Sequence, residues 1–105
     1  MLATSGAARS PFLPSVPTFT EQSFQDIVVI EWYGLFMPAG VSPTIVTRAS
    51  DAVTRATLQK EYIAALAKAG VTATSSTPDA LAQRITAEYD FWGSTVNATG
   101  FKPLE

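Results

Sequence analysis

Thr4-Ser5-Gly6 places two neighbouring hydroxyls at the end of an expected strand over residues 1–5. In open α/β sheets ligands sit beyond the carboxyl ends of strands, where such hydroxyls can donate to a carboxylate. The same groups can equally satisfy turn amides. Trp32 and Tyr33 offer aromatic surface that serves either core packing or a ligand platform. Glu31 interrupts an apolar run, and an ionised carboxylate there is costly unless paired or at a sheet end. It is either a ligand- or proton-handling group or the mark of solvent or a partner cation. Arg84 and Glu88, four apart at the margin of an expected helix stripe, read as a surface ion pair worth a few tenths of a kcal/mol.

Other chemistry is excluded by residue type. The 105 residues include no histidine and no cysteine, so Ser5 has no imidazole to activate it and Cys/His zinc sites are ruled out. Gly34, Gly40 and Gly70 are isolated and form no phosphate-binding loop. Tyr89, Phe91 and Trp92 read as helix packing. No enzyme, cofactor or metal site is expected. The formal net charge is −2 and the seven basic residues are scattered from Arg9 to Lys102, so no basic patch suits nucleic acid.

These groups must be positioned by a small number of elements. Gly6 to Pro17 is a proline-broken loop, and Thr18 to Phe24 a short helix with Thr18 and Glu21 in capping-box spacing. The run from Ile27 to Met37 is nearly continuous in strand-forming apolar residues, which predicts a strand buried on both faces of a sheet. It is too short to span a membrane and contains Glu31 and Gly34. Ser42-Pro43 opens a helix whose buried side is Ile45, Val46, Ala49, Ala52, Val53 and Ala56. A second helix uses Tyr62, Ile63, Leu66 and Ala69 and stops at Gly70. Val71 to Thr74 is expected as an edge strand. Thr77-Pro78 opens the longest helix, with a stripe of Leu81, Ile85, Tyr89, Trp92 and Val96, ending before Gly100. The fold expected is α/β, with two to three strands and three to four helices.

Apolar residues make up 47% of the chain, whereas charged residues make up only 15%, against about 25% in typical domains. Low charge and a strand that needs two covering layers predict a surface meant to be covered by other protein, the competing reading being an unusual composition in an intact domain.

The central motif sharpens this. Trp32-Tyr-Gly-Leu-Phe-Met-Pro-Ala-Gly40, followed by Ser42-Pro43, resembles the C-terminal part of the solute receptors of tripartite tricarboxylate transporters, the Bug or TctC-type receptors. Leu2-Ala-Thr-Ser5, Arg9-Ser10 and Leu13-Pro-Ser-Val-Pro-Thr18 with Glu21 agree with that family, as do Ala67-Lys-Ala-Gly70, Thr77-Pro78, Trp92-Gly93 and Ala98-Thr-Gly-Phe-Lys-Pro103. One departure is Lys60, where the family often has proline, so that Ser42 to Ala69 could run as one bent helix.

The resemblance implies the C-terminal part of a two-lobed, periplasmic-binding-protein-like fold. Residues 1–26 would be a remnant of the second lobe, 27–37 a buried strand crossing the hinge, and 38–105 a helical segment packing on the first lobe. It implies a receptor that captures a small carboxylate or amino-acid ligand in the complete protein and docks on membrane transporter subunits. Thr4, Ser5 and Trp32 would be this chain's ligand-binding contributors. The complete family member would be periplasmic, although Met1-Leu-Ala-Thr-Ser-Gly6 lacks the pattern of a signal peptide. The chain is expected to be a fragment that does not bind ligand alone. The alternative is a truncated chain acting only as a self-associating structural fragment, its uncovered strand and apolar faces paired with a second copy.

Overall fold

The computed structural model describes residues 1–102; the last three residues of the expected 38–105 segment lie outside them. The order of elements is a 3-10 helix at Thr20–Gln22, then α1 (Pro43–Ala56), α2 (Lys60–Lys68) and α3 (Pro78–Thr99). There is no sheet among the described residues. The one β-type pairing is an isolated parallel bridge between Thr4 and Thr18. This corrects the expectation of an α/β fold with two to three strands. Residues 27–37 run extended without a neighbouring strand, and Val71 to Thr74 forms no edge strand. A strand exists through its ladder partners, and strand-forming residue types cannot supply them.

The expected burial of 27–37 fails for the same reason. Ile27, Val28 and Val29 are about two-fifths exposed, and Leu35 is 79% exposed. No hydrophobic residue of the described chain is fully buried, and the two buried polar residues are Thr18 and Thr57. The radius of gyration is 17.0 Å, whereas a compact chain of this length has about 13 Å.

Local structure follows the sequence closely. Thr18 Oγ1 accepts from the Glu21 amide at 3.1 Å, and the Glu21 carboxylate accepts from the Thr18 amide at 2.8 Å, a reciprocal capping box. Arg9 completes it. Its Nε and Nη2 donate to the Glu21 carboxylate at 2.9–3.1 Å, while Nη1 donates to the Pro14 carbonyl at 3.2 Å. This clip ties the proline-rich loop to the short helix and holds Thr18 beside Thr4.

At the start of α3 the Thr77 hydroxyl accepts from the Ala80 amide at 3.2 Å, with Pro78 at the first helical position. Ser42 and Pro43 open α1 with the same backbone geometry, but the Ser42 side chain makes no capping bond. Gly70 adopts φ 71°, and α2 closes with the Gly70 amide on Ala67 O and the Val71 amide on Leu66 O. That pair of bonds satisfies carbonyls the helix leaves free, and its geometry requires a left-handed residue at position 70. Residues 42–69 form two helices despite Lys60. Thr57 ends α1 by turning its hydroxyl onto Thr54 O at 2.9 Å, and Gln59 restarts the chain from an extended conformation. α1 packs lightly against α3.

Candidate functional site

Ser5 stitches the N-terminal unit to the extended segment. Its hydroxyl donates to Val29 O at 2.8 Å, and its own carbonyl accepts the Val29 amide at 2.8 Å. Thr4 is fixed through its backbone: its amide donates to Pro17 O and its carbonyl accepts from the Phe19 amide, both at 2.9 Å. The Thr4 hydroxyl and that of Thr20 are buried atoms without a hydrogen-bond partner. Gln22 closes the unit by donating to Leu2 O at 2.9 Å.

Three residues beyond Val29, Trp32 turns toward α3. Its indole N–H is shared between the two carboxylate oxygens of Glu88, at 2.9 and 2.8 Å. Arg84 lies with its guanidinium 5.1 Å from the Trp32 ring centroid and donates to Glu88 at 2.7 Å and to Ile30 O at 3.3 Å. A cation over an indole face is attracted by the ring quadrupole, so Arg84 holds Trp32 from above while Glu88 holds its edge. The Trp32 N–H and then Arg84 hold the Glu88 carboxyl below the ordinary carboxylate value.

Alternation along the extended segment puts Trp32, Gly34 and Phe36 on one side. Gly34 is what allows them to close. A Cβ there would sit 3.0 Å from Trp32 Cζ3 and 3.2 Å from Phe36 Cε2. Glu31, Tyr33 and Leu35 occupy the other side, where the Tyr33 hydroxyl donates to Glu31 at 3.1 Å. That bond raises the Tyr33 pKa, because the proton bridges to a carboxylate. Tyr33 is 74% exposed. Glu31 therefore pairs with a neighbouring phenol, in contact with solvent.

The Trp32–Phe36 face and α3 enclose an open groove of about 630 Å³, lined also by Ile85, Tyr89, Trp92 and Val96. Phe91 packs edge-on against Trp92, with centroids 5.1 Å apart. A second, smaller groove of about 430 Å³ lies on α1 between Arg48, Asp51 and Arg55. No cluster of three potential metal ligands occurs among the described residues.

Of the three expected ligand contacts, Ser5 is bonded to residue 29, whereas Thr4 is bonded to residues 17 and 19. Trp32 lies further along the same segment with its polar edge committed to α3, and no hydrogen bond links it to the two hydroxyls. Sequence reasoning treated Arg84 and Glu88 as an ordinary i, i+4 surface pair; they also anchor a tryptophan. The usable signal was their place at the edge of an apolar stripe, since a half-buried indole N–H normally finds an acceptor.

Comparison with known proteins bears on this arrangement. The chain is 32% identical over 96 residues to the "UPF0065 protein in clcB-clcD intergenic region" of Pseudomonas knackmussii, covering 90% of this chain and 57% of that protein. It is 28% identical over 92 residues to the "UPF0065 protein in tcbD-tcbE intergenic region" of a Pseudomonas species, covering 87% of this chain and 27% of the relative. The chain thus spans about half and about a quarter of the curated relatives it matches. No solved structure matches it significantly. The family model described as tripartite tricarboxylate transporter family receptor matches residues 1–101, the whole of the local framework described above, and the chain belongs to that receptor family.

Proposed function

We propose that this chain is the C-terminal segment of a periplasmic solute-binding receptor that captures a small carboxylate for a tripartite tricarboxylate-type transporter. The observation that carries the reading is the family match over residues 1–101. Residues 27–37 would link the N-terminal unit, 1–26, to the helical segment, 38–105, and serve as the hinge. Thr4, whose hydroxyl has no partner, would donate to the ligand carboxylate and Trp32 would offer its ring, while Ser5, whose proton goes to Val29 O, would hold the segment in place. Closure about the hinge would bury the ligand, and the closed form would dock on the membrane subunits because it is the state the ligand stabilises.

Ligand capture on this reading needs receptor surface beyond these 105 residues. Titration calorimetry of the chain alone with succinate or glutamate is expected to give no heat of binding. A chimera joining the chain to the unmatched remainder of the Pseudomonas relative is expected to bind one of them. Heat from the chain alone overturns the claim that capture needs more protein. A folded chimera silent toward a panel of small dicarboxylates and amino acids overturns the receptor reading itself.

A further inference from the structure

Two sets of contacts grip the extended segment from its two sides, and one residue is left between them. Toward the N-terminus, the Ile27 amide donates to Phe24 O at 3.4 Å, and Val29 is held to Ser5 through both its amide and its carbonyl. The Ser5 hydroxyl on Val29 O fixes the peptide plane between residues 29 and 30. Toward the C-terminus, Arg84 donates to Ile30 O at 3.3 Å and so fixes the plane between residues 30 and 31. Trp32 follows, bound to Glu88 at its edge and lying against Arg84. Phe36 then lines the groove formed with α3. Among the described residues no ion pair and no backbone hydrogen bond joins 1–29 to α1, α2 or α3.

A peptide plane held on each side of one α-carbon leaves two soft dihedrals, φ and ψ of Ile30. The Ile30 amide has no acceptor among the described residues, so turning it breaks no hydrogen bond. Its side chain is 55% exposed, so little packing resists the turn. As a β-branched residue Ile30 keeps mainly to the extended region, where φ spans about 100° and ψ about 80°. That range permits a swing but not an inversion of one side against the other.

We propose that Ile30 is the pivot of this chain: residues 1–29 move as one body, and the segment from Glu31 to Phe36 moves with α3. Hinges of this kind concentrate a large dihedral change in very few residues. Thr4 belongs to the first body and Trp32 to the second, so rotation at Ile30 changes the gap between them. The inference narrows the hinge of the receptor reading, residues 27–37, to one residue, and it rests on that reading only for the ligand's part in closing it. The contacts that locate the pivot all lie within this chain.

Pulsed electron paramagnetic resonance of the full chain, which has no cysteine of its own, tests this without a ligand. Nitroxides on Ser15→Cys and Gln83→Cys report across the pivot, and those on Leu35→Cys and Gln83→Cys report within the second body. The expected result is a broad distance distribution for the first pair and a narrow one for the second. Ile30→Pro holds φ at about −65° and removes an unused N–H, so it should narrow the first distribution on the order of twofold. Ile30→Gly should widen it, because glycine also enters φ > 0. Leu35→Gly, beyond the Trp32 contacts, should leave it unchanged. Far-UV circular dichroism should show the same helix content throughout. Equal widths for the two pairs, a first pair indifferent to both Ile30 variants, an effect of Leu35→Gly as large as that of Ile30→Gly, or a chain without helix each overturns the proposal. None of these outcomes bears on the receptor reading, which stands or falls with the calorimetry of the chimera.

Discussion

Trp32 gives its indole N–H to both carboxylate oxygens of Glu88, 56 residues further along the chain, at 2.9 and 2.8 Å. This contact, with Arg84 stacked on the same ring, joins the extended segment to α3. It connects the residue most suggestive of a ligand platform with a pair that sequence alone marks as solvated surface.

The contact should respond to acid. The Glu88 carboxyl titrates below its ordinary value of 4.5, so its ionised form contributes stability above that value. The contribution is lost as pH falls through the depressed folded value. In a Trp92→Phe background, Trp32 fluorescence should hold steady down to the ordinary carboxylate range and change only below it. Glu88→Gln, which keeps an acceptor but no charge, should abolish that transition. A transition unchanged by Glu88→Gln would show that another group controls Trp32.

Gly34 should tolerate no side chain. A Cβ there meets two ring atoms at 3.0 and 3.2 Å, so Gly34→Val must displace Trp32 or Phe36, at a cost of about 1–3 kcal/mol. In the Trp92→Phe background, near-UV circular dichroism should lose its tryptophan signal while helix content is kept. Retention of that signal would contradict the ring arrangement.

The two serine/threonine–proline helix starts should differ. Thr77→Ala removes a capping bond to the Ala80 amide and should lower stability by about 1 kcal/mol. Ser42→Ala removes a side chain that makes no capping bond and should have a smaller effect. Thermal melts of the two variants, read at 222 nm, give the comparison.

Arg9→Lys should not substitute for arginine. Arg9 reaches the Glu21 carboxylate through two nitrogens and the Pro14 carbonyl through a third, a fork that a single ammonium cannot reproduce. Limited proteolysis should cut the 10–17 loop faster in Arg9→Lys, and nearly as fast as in Arg9→Ala. Protection equal to wild type would mean that charge alone holds the loop.

What could be read from the sequence was whatever depends on neighbours within about five residues. The Thr18/Glu21 capping box, the Thr77-Pro78 start of α3, the Gly70 stop of α2 and the end of α3 before Gly100 all fall in this class. Each is set by a hydrogen bond or a dihedral available within one turn. The family signature was equally legible, because residue order carries it directly.

The strand assignments failed because they depend on partners. The composition of 27–37 describes a segment suited to a sheet, yet it forms no β pairing; Val29 meets Ser5 through one backbone bond and one from the serine side chain. Among the candidate site residues, the sequence indicated the hydroxyls at positions 4 and 5 and the aromatic at 32. It could not indicate that Ser5 would be spent on Val29, or that Trp32 would turn to Glu88.

The sequence by itself determined where the three α-helices lie, the Thr18 and Thr77 caps, the Gly70 stop and the receptor family, though not the expected cap at Ser42. Tertiary structure alone decided which side of residues 32–36 faces α3 and what holds it there. The physical reason is range. Caps and turns are closed by groups a few bonds apart, whereas Trp32, Arg84 and Glu88 meet only after the chain has returned upon itself.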